Sequence, residues 1–133
     1  MNAIEFPYTI PYLVELKTLA KKQKAEAFLV GGVLRNFILG HENDDFDFAT
    51  SKNAIAIAGA FAKKIHGAFV LLDEKHHCAR VARKEKGKLF TFDFADFRVP
   101  TLKGDLAHRD FTINTLAVDI NALTKGAALR EIL

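Results

Sequence analysis

Residues 29–50 read LVGGVLRNFILGHENDDFDFAT, and this stretch decides the fold. The apolar run Ala27–Val30 ends in two glycines, which predicts a buried strand that enters a tight turn. Val33–Leu39 has the pattern of a short helix that Gly40 closes. Asp45–Ala49 alternates acidic and apolar residues, which is the period of a strand with one buried face. The stretch therefore predicts a strand, a helix and a second strand in succession.

Further elements are predicted on both sides of this stretch. Ser51 is the expected N-cap of an alanine-rich helix that Gly67 ends, and the charged run Lys84–Lys88 (KEKGK) predicts a solvated hairpin turn. The order of elements predicts an α+β fold. The helices are expected over Pro11–Lys24, Ala54–His66 and Asp110–Ile120, and the strands over Ala68–Leu72, Cys78–Arg83 and Leu89–Ala95.

Composition sets broad limits on the class of protein. The chain has 133 residues, half of them apolar, which predicts one domain with a sizeable core. Its net charge of +3 is compatible with a nucleotide or nucleic-acid partner but does not require one. Cys78 is the sole cysteine, which excludes an internal disulfide. With no signal-peptide pattern and no membrane-length apolar run, a cytoplasmic protein without membrane contact is expected.

Asp45 and Asp47 form the sharpest chemical feature of the sequence. Residues two apart on a strand share a face, so Phe46 and Phe48 would point into the core while both carboxylates point outward. Hard oxygen ligands of this kind bind Mg²⁺ together with water and substrate phosphates. On spacing alone the pair could equally be the polar face of a strand, because Asp-x-Asp is a weak motif.

Gly31 and Gly32 lie at the predicted strand-to-helix turn, and Arg35 follows one helical turn later. Two glycines let the backbone approach a ligand closely, and the N–H groups at a helix start favour phosphate. Arg35 could bind the same phosphates through its forked donors. The alternative is an ordinary tight turn followed by a surface arginine.

A third carboxylate, Asp93, belongs to the predicted strand Leu89–Ala95. Phenylalanines alternate along this strand, which leaves Asp93 on the opposite face. If the strand lies beside Asp45–Ala49, Asp93 can join the metal site or act as the base that deprotonates an attacking hydroxyl. The alternative is a structural acid paired with Arg98. Asp96 breaks the alternation, which predicts a bulge or the end of the strand.

Asp110 and Asn114 are four residues apart in the last predicted helix and so share a face, where they could bind a ribose or a base. Asp110 could instead be a simple N-cap. The run His76–Cys78 is disfavoured as a zinc site, because adjacent strand residues point apart and no second ligand pair exists. The Lys84–Lys88 turn is either solvated or in contact with RNA phosphates.

Two long motifs resemble those of class II CCA-adding enzymes and bacterial poly(A) polymerases. LVGGVLRNFILG, followed by DDFDFAT, is similar to that family's Gly-Gly-x-Val-Arg-Asp-x-Leu-Leu-Gly and Asp-x-Asp signature. DLAHRDFTINTLAVDI resembles its Arg-Arg-Asp-Phe-Thr-x-Asn-Ala motif, and FDFADFR resembles the strand between the two. The resemblance covers nearly the whole chain, in the right order and at the right separation.

The resemblance implies a polymerase-beta-like nucleotidyltransferase head over residues 1–133, with helices packed against a mixed sheet of about five strands. It implies that Asp45 and Asp47 coordinate catalytic Mg²⁺, with Asp93 as a further catalytic carboxylate. The implied reaction is attack of an RNA 3′-hydroxyl, most simply that of tRNA, on the α-phosphate of ATP or CTP, with release of pyrophosphate. Nucleotide binding is implied for Gly31, Gly32, Arg35, Arg109, Asp110 and Asn114.

Departures from the family pattern leave alternatives open. Asn36 stands where the family has Asp, and His108 stands where the second motif has its first Arg. A degenerate RNA-binding head and a poly(A) polymerase head therefore remain alternatives. The family's base-selecting neck domain is not part of the sequence, so the chain is expected to be the N-terminal fragment of a longer enzyme, and a head alone is expected not to distinguish C from A. CC, CCA, A or poly(A) addition and the oligomeric state are left undetermined.

Overall fold

The fold is taken from a computed structural model, which describes residues 10–31, 45–97 and 116–122. The predicted helix Val33–Leu39 lies outside these residues, as does the part of the last predicted helix before residue 116. In the described ranges, no helix has the length and apolar character needed to cross a bilayer.

The described elements follow the predicted order up to the last one, within two residues at each end. Two helices lie on a mixed sheet, which confirms the α+β fold class. The helices are α1 (Leu13–Lys22) and α2 (Ala54–Ile65), and a short 3-10 helix covers Ile120–Ala122. The strands are β1 (Ala27–Gly31), β2 (Asp45–Thr50), β3 (Ala68–Asp73), β4 (Cys78–Glu85), β5 (Lys88–Asp96) and β6 (Leu116–Asp119).

The sheet has the strand order β3-β4-β5-β2-β1-β6. Strands β2 and β5 are parallel neighbours at its centre, while every other neighbouring pair is antiparallel. A parallel pair requires a crossover, and α2, β3 and β4 supply it. This topology brings the two acid-bearing strands side by side.

The prediction of a helix over Asp110–Ile120 is wrong for residues 116–119, which form strand β6. Leu116 pairs with Gly31 and Val118 with Leu29, so β6 covers the otherwise open edge of β1. Apolar residues in this segment fit either a helix or a strand, and the unpaired hydrogen-bonding groups of the β1 edge decide the outcome. Among the described residues the sheet consequently has six strands, where about five were expected.

The core lies between the helices and one face of the sheet, and it is built from aromatic rings. Phe46 stacks on Phe92 with ring centroids 5.5 Å apart, and Phe48 stacks on Phe94 at 5.2 Å. Phe61 of α2 meets Phe92 and Phe94 edge-on, at 5.0 and 5.7 Å. All five rings are at most 1% exposed, which confirms the inward alternation of phenylalanine along β2 and β5.

The predicted hairpin turn joins β4 to β5 through Lys86 and Gly87. Both residues have positive φ, 51° and 78°, which is the pattern of the type I′ turn that two-residue hairpins favour. Glu85 and Lys88 close the turn as cross-strand partners. This turn fixes the register of the whole hairpin, including the position of the residue opposite Asp93.

Helix α2 is capped by Asp96 from the end of β5, and the prediction that Ser51 is its N-cap is wrong. The Asp96 carboxylate accepts hydrogen bonds from the backbone N–H of Ala54 at 2.8 Å and from the hydroxyl of buried Thr50 at 2.7 Å. Ser51 instead accepts a hydrogen bond from the N–H of Glu26 at 2.9 Å. Strand β5 ends at Asp96, one of the two outcomes expected for this position.

Replacing Asp96 with alanine is expected to destabilise the chain by about 1–3 kcal/mol, because it removes the helix cap and leaves the buried Thr50 hydroxyl unsatisfied. Urea unfolding measures this loss. Asp96→Asn is the matched control, since its amide oxygen can still accept both hydrogen bonds, and a smaller loss is expected. Equal losses in the two variants would show that the acceptor oxygen contributes little.

Candidate active site

Asp45 and Asp47 lie on the face of β2 that is turned away from the helices. Both side chains are exposed, whereas the intervening Phe46 and the following Phe48 are buried. The alternation follows from the two-residue period of a strand, as the sequence predicts. A rigid central strand thus presents two carboxylates to one side of the sheet.

Asp93 lies next to Asp47, because the two residues are cross-strand partners in the parallel pair of β2 and β5. Neighbouring strands are about 4.8 Å apart, so both carboxylates leave the sheet from adjacent positions on one face. The condition for Asp93 to join the acidic pair, that the two strands be neighbours, is met.

Two polar side chains, those of Thr91 and Arg80, form hydrogen bonds with Asp45 and Asp93. The Thr91 hydroxyl donates a hydrogen bond to Asp45 Oδ1 at 2.5 Å. Arg80 of β4 donates two hydrogen bonds to Asp93, from Nε to Oδ1 at 2.7 Å and from Nη2 to Oδ2 at 2.9 Å. The sequence pattern did not single out Arg80 or Thr91. The partner that it offered for Asp93 was Arg98, which lies outside the described residues.

The guanidinium of Arg80 interacts electrostatically with all three acids. Its pKa is raised above the ordinary value, first by the hydrogen bonds and charge of Asp93 and then by the charges of Asp45 and Asp47. An arginine is always protonated, so the practical meaning of the shift is that one fixed positive charge faces a cluster of three carboxylates. The face keeps a net negative charge.

The donor set on this face fits a hard divalent cation. Mg²⁺ is commonly held by one or two carboxylates while water and substrate phosphates complete its octahedron, and exposed Asp45 and Asp47 satisfy that demand. Within residues 10–31, 45–97 and 116–122, no three His, Cys, Asp or Glu side chains come together as a metal-holding group. Asp93 shares this face as the ion-pair partner of Arg80.

A pocket of about 250 Å³ opens beside Asp47 and Asp93. Its size is near the lower end of the range for small-molecule sites, and its acidic edge adjoins a mostly apolar wall. The other lining residues are Val30, Phe48, Leu72, Cys78, Phe94 and Ala95. Cys78 thus lines the space next to two carboxylates.

Strand β1 ends at Gly31, the first glycine of the turn that the sequence predicts. Val30, one residue earlier, is the cross-strand partner of Asp47, so β1 ends beside the acidic site. Gly31 itself pairs with Leu116, the first residue of β6, which follows the second motif closely in sequence. The other predicted nucleotide-binding residues lie outside the described residues; they are Gly32, Arg35, Arg109, Asp110 and Asn114.

The residues His76 and His77 lie in the turn between β3 and β4, and Cys78 is the first residue of β4. His76 Nδ1 lies 2.5 Å from Asp73 Oδ2, and this hydrogen bond lowers the pKa of the Asp73 carboxyl. The Cys78 thiol donates to the carbonyl of His76 at 3.4 Å. These contacts stabilise the turn through His76 and Cys78.

The family of the chain follows from its sequence match. The model of the poly A polymerase head domain matches residues 27–128. That range includes all the described strands and the helix α2, together with both sequence motifs. The chain therefore belongs to the poly A polymerase head-domain family.

Similar proteins are tRNA nucleotidyltransferases. The CC-adding tRNA nucleotidyltransferase of Synechocystis sp. is 40% identical over 94 residues, which are 69% of this chain and 22% of that protein. The CCA-adding enzyme of Bacillus pumilus is 33% identical over 129 residues, 87% of this chain and 30% of that protein. The chain thus spans less than a third of the length of these relatives.

A solved structure of a tRNA nucleotidyltransferase, complexed with a primer tRNA and an incoming ATP analog, has the same fold. Its TM-score is 0.69 at 32% identity, over 85% of this chain and 33% of that one. The fold expected from the family resemblance, a nucleotidyltransferase head with helices on a mixed sheet, is confirmed.

Proposed function

We propose that the chain is the catalytic head of a template-independent RNA nucleotidyltransferase. The observation that carries the proposal is the placement of Asp47 and Asp93 as neighbours on the two central strands, with Asp45 on the same face. The reaction transfers AMP or CMP from ATP or CTP to an RNA 3′-hydroxyl, that of tRNA in the first instance. Relatives named as CC-adding and CCA-adding enzymes support this choice of substrate.

Each part of the site has a defined task in this proposal. Asp45 and Asp47 hold Mg²⁺, which supplies charge neutralisation at the transferred phosphate. Asp93 accepts the proton of the attacking 3′-hydroxyl. The turn at Gly31 and Gly32 receives the triphosphate through backbone N–H groups, assisted by Arg35. In such phosphoryl transfer, positioning and electrostatic stabilisation supply most of the rate.

The second motif completes the nucleotide site. Arg109, Asp110 and Asn114 contact the ribose, and their hydrogen bonds to the 2′-hydroxyl select ribonucleotides. This assignment follows the family resemblance and the position of β6, whose first residue pairs with Gly31. The residues that choose the base lie elsewhere in such enzymes, so this head binds ATP and CTP with similar affinity. A cytoplasmic location and a longer parent enzyme are parts of the same proposal.

The test is whether the chain binds nucleotides with Mg²⁺ and extends tRNA. ATP and CTP are supplied separately with a tRNA that lacks its terminal nucleotides, and labelled nucleotide and pyrophosphate are counted. The expected result is magnesium-dependent binding of both nucleotides, with pyrophosphate released in equal amount to any nucleotide incorporated. A tRNA with an oxidised 3′ end is the control. Binding of RNA without any binding of nucleotide would favour the degenerate head instead.

A further inference from the structure

Arg80 stands in one row with two acids across three neighbouring strands. It is the cross-strand partner of Asp93, which is in turn the partner of Asp47. Both oxygens of Asp93 accept hydrogen bonds from the Arg80 fork, at 2.7 and 2.9 Å. The arginine therefore directs the Asp93 carboxylate toward β4, on the side away from Asp45 and Asp47.

Without that restraint, all three carboxylates on this face could turn toward one cation. The electrostatic field of such a cluster attracts divalent cations strongly even when no nucleotide is bound. The structure instead shows two exposed acids, Asp45 and Asp47, and a third that is ion-paired, 28% exposed at its side chain. No three-acid metal group forms in the described part of the chain.

We propose that Arg80 is a positioning residue that keeps Asp93 out of the metal pair, so that the site takes up its divalent cation tightly only together with a nucleoside triphosphate. The triphosphate brings the additional oxygen ligands and negative charge that Asp93 is prevented from supplying. Asp93 stays on the same face of the sheet, held there by both hydrogen bonds from Arg80. This inference rests on the proposed function, because it assumes that Asp45 and Asp47 bind the metal.

The test measures the affinity of the whole 133-residue chain for Mn²⁺ alone, without nucleotide, by electron paramagnetic resonance. Arg80→Met removes both the charge and the fork. The backbones of β4 and β2 are about two strand spacings, roughly 10 Å, apart, and the guanidinium extends from β4 to Asp93, so the loss of its charge alone strengthens Mn²⁺ binding by at least roughly fourfold in a watery dielectric. Release of Asp93 as a third ligand adds to this, and a total gain of about tenfold or more is expected.

A double-mutant cycle with Asp93→Asn separates position from charge. In the Asp93→Asn background, Arg80→Met can act only through its charge, so the gain is expected to fall back to roughly fourfold. Equal gains in the two backgrounds, or no gain at all, would overturn the proposal. Arg80→Lys retains the charge but removes the forked pair of donors. It takes the place of Arg80→Met in the same cycle if the methionine variant does not fold.

Failure of the proposed function would look different. If Mn²⁺ still binds when Asp45 and Asp47 are both changed to alanine, the metal pair itself is misassigned. If that variant loses Mn²⁺ while the cycle shows no coupling between Arg80 and Asp93, only the positioning role is wrong. Circular dichroism confirms the fold of each variant before its affinity is compared.

Discussion

Loss of both carboxylates in Asp45→Ala with Asp47→Ala is expected to abolish magnesium-dependent binding of ATP and CTP. Removing a mere partner of a metal ligand costs about 10- to 100-fold in metal affinity, so losing both ligands at once exceeds that range. The bound triphosphate depends on the metal to offset its charge beside acidic side chains. Isothermal calorimetry with and without Mg²⁺ measures the effect.

The matched control is Asp73→Ala with Glu74→Ala. It removes two carboxylates as well, but from the end of β3 and the first residue of the turn that follows it. Nucleotide affinity is expected to stay near that of the unchanged chain, which separates a specific site from a change in net charge. Equal binding by the Asp45 and Asp47 variant would rule out the metal site.

The second large effect concerns stability. Phe61→Ala is expected to lower the free energy of unfolding by about 3–5 kcal/mol, a large part of what a domain has. Phe61 is fully buried in α2 and meets the rings of Phe92 and Phe94, so its truncation leaves a cavity against the centre of the sheet. Urea unfolding monitored by circular dichroism measures the loss.

Phe69→Ala is the corresponding control on the edge strand β3. The Phe69 side chain is 42% exposed, so its truncation removes less apolar burial and creates little cavity. A loss of at most about 1 kcal/mol is expected. If both variants lost the same free energy, the aromatic cluster beneath the acidic strands would not be the main source of stability. Phe61→Leu extends the series should the alanine variant fail to fold.

The strand faces could be predicted from the sequence because they depend on local alternation. Acid and phenylalanine alternate along β2 and along the middle of β5, and a strand must then separate them onto two faces. The cross-strand partner of Asp93 could also be predicted from the sequence. Once Lys86 and Gly87 are taken as the two-residue turn, counting back along both strands from Glu85 and Lys88 places Arg80 opposite Asp93.

Other features depend on contacts between distant segments. Nothing in the sequence of β2 states that β5 is its neighbour, because α2, β3 and β4 separate them. The Asp96 cap arises from the same parallel pairing, which places Asp96 beside Thr50 at the start of α2. Strand β6 exists because β1 has an open edge, a tertiary cause that local pattern does not record.

Because β2 and β5 are at the centre of the sheet, the acidic face that they carry forms only when the sheet forms. Parallel neighbours can pair only after the intervening crossover has been closed, and the chain loses entropy before these long-range contacts repay it. Asp47 and Asp93 therefore become neighbours only when the long connection that carries α2, β3 and β4 has closed. A chain in which β2 and β5 are not yet paired has no assembled carboxylate face.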